Sequence, residues 1–149
     1  MTDTVRLLAV AGALVISALA TFAWRVSRGD TAGPDRLVGQ LRLAQWAAVF
    51  LAATTGASIG FAATQPSVTI GTLEVTVAIA GVLVAGVVVQ SEPRLGLLVA
   101  GAAFVGHALF DVAHRPGLLT DVLVPRWFIV GAAVWDLAMA AVCFWARRR

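Results

Sequence analysis

The sequence predicts an all-α integral membrane protein, a compact bundle of five transmembrane helices in one domain over residues 1–149. Apolar residues make up 60% of the chain and charged residues 13%, whereas about a quarter of the residues of a soluble domain are charged. Five apolar runs are each close to the ~20 residues that cross ~30 Å of hydrocarbon as a helix. Short polar segments separate these runs, as expected for a multi-pass membrane protein.

The five spans follow from the apolar runs and from the turn signals between them. The first run begins after Arg6 and continues to Trp24 without a persuasive cleavage site, so it is interpreted as a spanning helix and not as a secretory signal. A polar linker over 26–42 follows, with a turn at Gly33 and Pro34. The later linkers "QPS" and "SEPR" fit only tight reversals. The predicted spans cover about 5–24, 42–64, 68–90, 95–114 and 126–146.

The arginines predict the orientation of the bundle, because cytoplasmic segments next to spanning helices are enriched in basic residues. With the N-terminus outside and the C-terminus inside, the inner side carries eight arginines and the outer side three. The inner set is Arg25, Arg28, Arg36, Arg42, Arg94, Arg147, Arg148 and Arg149, and the outer set is Arg6, Arg115 and Arg126. The sequence therefore predicts N-terminus out and C-terminus in.

Composition also limits the partners and the compartment. All eleven basic residues are arginines in short segments near span ends, so they are interpreted as topology signals and no nucleic-acid partner is predicted. The one cysteine, Cys143, excludes an intrachain disulfide. Arginine without lysine, together with abundant Ala, Val and Gly, favours a prokaryotic cytoplasmic membrane, in which membrane lipid surrounds the chain.

Four ionisable residues lie inside predicted spans, where a charged group at the bilayer centre costs ~2.5–3.5 kcal/mol on insertion scales. Counted from the outer helix ends at ~1.5 Å per residue, Asp111 lies ~6 Å deep, Glu74 ~10 Å, His107 ~12 Å and Asp136 ~15 Å. They come from three helices and share the outer half of the membrane. Stripes of small residues flank them, and such stripes let membrane helices pack closely. The sequence therefore predicts an intramembrane acidic and histidine pocket.

The stretch "GHALFDVAH" places His107, Asp111 and His114 at spacings of four and three, which bring all three to one side of a helix. These three are the predicted ligands of a divalent metal, and imidazole with carboxylate suits either a metal or a proton relay. The predicted catalytic residues are Glu74, Asp136 and His107. Haem is disfavoured, because the two histidines of the chain lie ~10 Å apart along one helix.

The functional prediction is an enzyme-type site that acts by acid/base or metal chemistry on a lipid-soluble substrate such as an isoprenoid or a quinone. One alternative is a proton or metal-cation transport unit of a homo-oligomer, which could associate through the Gly56 and Gly60 face. Another is an accessory subunit of a larger membrane complex. The predicted polar path ends near the midplane, which favours a closed pocket over a conduction path.

Structural roles are the competing interpretation of the same residues. Asp111 could pair with Arg115 or Arg126 as an ion pair at the membrane interface. His114 could be a solvated residue at a helix end. Glu74 and Asp136 could each be neutral acids that donate one hydrogen bond within the bundle.

Overall fold

The computed structural model describes residues 3–29, 33–63, 68–114 and 126–148, which form helices joined by short turns and contain no strand. The helices are α1 (Asp3–Arg28), α2 (Pro34–Ala63), α3 (Val68–Gln90), α4 (Pro93–Ala113) and α5 (Arg126–Arg148). All five are long and apolar enough to cross a membrane. The all-helical class and the five candidate spans are confirmed, and they suggest an integral membrane protein.

The largest difference from the predicted boundaries is at the start of α2. The polar linker predicted over 26–42 is wrong for most of its length, because α1 continues to Arg28 and α2 already begins at Pro34. Proline is well suited to the first position of a helix. The carboxylate of Asp35, in the first turn, interacts favourably with the positive end of the helix dipole. The polar residues after Pro34 belong to a helix with one buried side.

The helices are arranged around α2 and α4. Within the described chain, α2 contacts all four other helices and α4 contacts α2, α3 and α5, whereas α1 contacts only α2 and α5. Because α3 and α5 do not contact each other there, each packs separately against α4. Polar side chains on α4 can therefore meet partners from two different neighbours.

The interior contains many small side chains beside a few large ones such as Phe104 and Leu97, and large apolar side chains also cover the outside. Ala78 and Ala100 are fully buried, whereas Leu83, Leu109 and Val130 are more than half exposed. The exposed aliphatic surface is suited to lipid, which solvates large aliphatic side chains. The prediction that small-residue stripes pack inward is confirmed for α3, where Ala78, Gly81 and Ala85 are buried on the side of Glu74.

A close approach at Gly81 sets the position of α3 against α2. Any side chain at this position would overlap the hydroxyl and the methyl group of Thr55. Thr55 cannot easily turn away, because its buried hydroxyl donates a hydrogen bond of 2.8 Å to the Leu51 carbonyl. By contrast, a methyl group added at Gly56 or Gly60 would meet nothing within 4 Å. That face is therefore free of contacts from the described residues, and its role in a homo-oligomer stays a prediction.

Candidate functional site

Helix α4 carries both histidines, and each contacts a carboxylate from a different neighbouring helix. His107 lies one turn and a half before the end of α4 and meets Asp136 of α5. His114 is the residue that ends α4 and meets Glu74 of α3. All four residues are buried. The site is therefore built from three helices, with α4 in the middle.

The His107 and Asp136 side chains form the shortest polar contact of the site. His107 Nδ1 lies 2.6 Å from Asp136 Oδ2. A carboxylate accepts and does not donate, so an ionised Asp136 requires a proton on Nδ1, and a neutral imidazole then has its lone pair on Nε2. Nε2 is buried and has no hydrogen-bond partner among the described residues. The same holds for Asp136 Oδ1, so both partners keep an unused polar atom.

Asp111 lies one turn after His107 on α4 and faces the same ring nitrogen. Its Oδ2 is 3.8 Å from His107 Nδ1, and this oxygen is buried without a hydrogen-bond partner. Arg115, one of its two expected arginine partners, lies outside the described residues. In the described chain Asp111 lies next to His107 and forms no ion pair with Arg126. Asp111 therefore belongs to the polar site.

His114 and Glu74 form a second buried pair, in which both ring nitrogens are engaged. Nε2 lies 2.8 Å from Glu74 Oε1, and Nδ1 donates a hydrogen bond of 2.9 Å to the Phe110 carbonyl. The Phe110 ring packs edge-on against the imidazole, with 4.5 Å between the ring centroids. The interpretation of His114 as a solvated helix-end residue is wrong, because the side chain is buried between α3 and α4.

The two pairs are close enough to act on each other electrostatically. Glu74 interacts with the charges of both His107 and Asp111, and His114 interacts with Asp111. Across the described residues, no arginine forms an ion pair with any of these carboxylates. Among the described residues, only the two histidines can therefore supply positive charge in contact with these three acids.

One group of side chains in the site has the geometry of a cation ligand set. One ligand atom each from His107, Asp111 and Asp136 lies within 4.8 Å of the other two. The predicted set was His107, Asp111 and His114, and the structure places Asp136 beside the first two while His114 contacts Glu74. Of the predicted catalytic residues, His107 and Asp136 are in direct contact, whereas Glu74 contacts His114.

Two residues with buried polar atoms were not singled out from the sequence. Arg36 on α2 and Trp135 on α5 each have a buried nitrogen without a hydrogen-bond partner. The helical period of α2 could have predicted the burial of Arg36. Arg36 precedes Leu43 by two helical turns and so lies on the same face as Leu43, which is almost fully buried. Trp135 packs edge-on against Phe50 at 5.6 Å and is part of the apolar core.

No protein-family model, no curated protein and no solved structure matches this chain.

Proposed function

We propose that this chain is an integral membrane protein with an enzyme-type acid/base site, in which His107 exchanges a proton with a lipid-soluble substrate. The observation that carries the proposal is the state of the His107 ring. Asp136 contacts Nδ1 at 2.6 Å, while Nε2 is buried and unpartnered. A carboxylate on one ring nitrogen orients the imidazole and stabilises the cation that forms when the other nitrogen takes a proton.

The surroundings of the site support a substrate that arrives from lipid. The outer surface of α4 and α5 next to the site is apolar, with Leu109, Val112 and Val130 half or more exposed. On the other side of Asp136, the buried residues of α5 are apolar apart from the thiol of Cys143. A polar site that is closed on one side and bordered by apolar surface suits substrate chemistry better than conduction across the membrane.

A divalent metal is the second candidate, and the ligand group of His107, Asp111 and Asp136 favours it. Imidazole with two carboxylates suits zinc and other borderline metals. Asp111 Oδ2 and Asp136 Oδ1 have no hydrogen-bond partner and are free to bind a cation. A bound metal would act as a Lewis acid. If it were held by His107 Nδ1, the nitrogen that both carboxylates face, the ring proton would be on Nε2, which would then have no lone pair for proton exchange.

Acylation by an apolar reagent tests the proposal, with His114 as the control inside the same molecule. Diethyl pyrocarbonate dissolves in lipid and acylates an imidazole nitrogen that bears a free lone pair, with ethyl carbonate as the leaving group. We expect His107 to be acylated at Nε2 and His114 to react at least tenfold more slowly, because both of its nitrogens are engaged. The two sites are quantified by peptide mass spectrometry of the detergent-purified protein.

The outcomes of this experiment separate the candidates. A purely structural pair predicts that neither histidine reacts in the folded protein, and equal reactivity of both would contradict the proposal. Metal content is measured on the same preparation. One bound metal per chain that disappears in Asp111→Asn but remains in Glu74→Gln, together with an unreactive His107, would favour the metal candidate.

We also propose that the chain lies in a prokaryotic cytoplasmic membrane with its N-terminus outside and its C-terminus inside. The arginines support this orientation, because cytoplasmic segments next to spanning helices are rich in basic residues. One end of the bundle is marked by the hydrogen bond that Gln40 of α2 donates to the Ala146 carbonyl of α5. At this same end lie Arg25, Arg28, Arg94, Arg147 and Arg148. The site then lies in the outer half of the membrane.

Cysteine labelling tests the orientation. In a Cys143→Ser background, a cysteine at position 3 is expected to react with an impermeant maleimide from the outside, and a cysteine at position 148 only from the inside. Labelling of both positions from one side would exclude an odd number of spans.

A further inference from the structure

The arginine at position 36 differs from the other arginines at its end of the bundle. Arg25, Arg28 and Arg42 are exposed, and Arg28 lies over the ring of Trp24 at 4.0 Å from its centroid. Arg36 is only 5% exposed, and its Nη2 is buried without a hydrogen-bond partner among the described residues. A guanidinium is always charged in proteins and is rarely buried without a counter-charge. A topology signal needs no such burial, since arginines near a membrane surface normally extend into water.

A pocket of about 370 Å³ lies beside this arginine, between the end of α1 and the start of α2. Among the described residues, Arg25, Arg36 and Arg42 line it, together with one acid, Asp35. Phe22 and Val26 of α1 form an apolar part of the same wall. The pocket is thus lined by both basic and apolar side chains.

Close packing of α1 on α2 holds the pocket in place. A methyl group added at Gly39 would lie 2.6 Å from a Val26 methyl carbon, so the two helices touch there through glycine. The backbone amide of Arg36 donates a hydrogen bond of 3.3 Å to the Gly33 carbonyl, which fixes the first turn of α2. Arg36 therefore lies in the first turn of a helix and not in a loop.

We propose that this pocket binds a phosphate group, with Arg36 as the buried anchor and the exposed Arg25 and Arg42 as outer contacts. A guanidinium fork matches the oxygens of a phosphate and can donate two hydrogen bonds to it. The described residues of the pocket wall include three arginines and one aspartate, so their net charge is positive. The phosphate would supply a negative charge beside the buried guanidinium, whose Nη2 has no hydrogen-bond partner in the described chain.

Two sources can supply this chemistry: the headgroup of an anionic phospholipid, or a soluble phosphate. The apolar wall of Phe22 and Val26 is complementary to the glycerol and acyl portion of a lipid. The site is separate from the His107 and Asp136 site, so this proposal and the proposed function can fail independently.

Thermal unfolding of the lipid-stripped protein in a zwitterionic detergent tests the proposal with both probes. One arm adds phosphatidylglycerol, with phosphatidylcholine as its reference, and the other adds inorganic phosphate, with chloride at matched ionic strength. We expect saturating phosphatidylglycerol to raise the unfolding temperature of the wild type by about 5 °C or more. A response to inorganic phosphate alone would identify a soluble phosphate as the ligand.

The informative variant is Arg36→Met, which keeps an apolar stem and removes the charge. We expect this variant to need about tenfold to a hundredfold more probe for the same rise in unfolding temperature. Without a probe, Arg36→Met should be at least as stable as the wild type, because it removes a buried charge without a partner. Arg94→Gln is the matched control, since Arg94 is an exposed arginine at the same end of the bundle, in a separate pocket with Arg147.

Three results would overturn the proposal. The first is an unchanged response in Arg36→Met, and the second is an equal loss of response in Arg94→Gln, which would indicate unspecific attraction of anions. The third is a strong loss of stability or a failure to fold in Arg36→Met without any probe. That last result would mean that Arg36 is a structural residue whose charge is already compensated.

Discussion

Asp136→Asn is expected to lower the rate of His107 acylation by about fivefold to tenfold while the protein remains folded. Hydrogen bonds to charged groups are worth about 1.5–3 kcal/mol and neutral ones about 0.5–1.5 kcal/mol. The difference of roughly 1 kcal/mol is the stabilisation that the attacking imidazole loses when its partner becomes neutral. An asparagine oxygen can still accept the proton of His107 Nδ1, so the ring orientation is retained.

The stability of a second variant separates the role of the charge from the role of packing. Asp136→Ala leaves the Nδ1–H group of His107 buried without an acceptor, and such a loss costs about 1–3 kcal/mol, in addition to the cavity. Asp136→Asn should cost less than about 1 kcal/mol. Reversible unfolding in mixed detergent micelles measures both variants. If Asp136→Asn keeps the full acylation rate, Asp136 does not activate His107 and the pair is structural.

The His114 and Glu74 pair is expected to join α3 to α4 with a measurable coupling energy. Polar contacts between membrane helices have coupling energies of about 0.6 kcal/mol on average and up to about 1.7 kcal/mol. We expect the upper part of this range, because the 2.8 Å contact is buried and the second ring nitrogen is fixed by the Phe110 carbonyl. Among the described residues of the site, this pair is the polar contact that joins α3 to α4.

A double-mutant cycle with Glu74→Leu and His114→Leu measures this coupling. Each single variant leaves one buried polar group of the pair without its partner, whereas the double variant removes both groups. The double variant should therefore be more stable than the summed losses of the two single variants predict. Glu74→Gln is the conservative control, since its amide can donate to Nε2 of a neutral His114. Additive losses within about 0.3 kcal/mol would show that the contact contributes nothing to the association of α3 with α4.

The two pairs have different consequences for chemistry. His114 has no free nitrogen, because Glu74 and the Phe110 carbonyl occupy both. His107 keeps Nε2 unpartnered. The spacing of seven residues predicted the same role, as metal ligands, for both histidines, whereas their contacts in the structure differ. The proposed proton exchange therefore applies to His107 and not to His114.

The sequence by itself determined the five candidate spans and which residues avoid the lipid. Both depend on local properties of the chain: the length of an apolar run, and the cost of a charge such as Glu74 or Asp136 in hydrocarbon. The inward position of the small-residue stripe of α3 follows from the same kind of pattern, because lipid solvates large aliphatic side chains and close helix packing needs small ones. The boundary of α2 was less accessible, since the polar residues after Pro34 resemble a linker in composition.

Only the tertiary structure decided the partners. His107 and His114 lie on one side of α4, and the sequence has no means to assign Asp136 to one and Glu74 to the other. That assignment depends on how far each neighbouring helix is rotated and how closely it approaches. Contacts between distant residues set both quantities, such as Gly81 against Thr55 and Gly39 against Val26. The burial of Arg36 has the same origin, because a charge becomes buried only when another helix covers it.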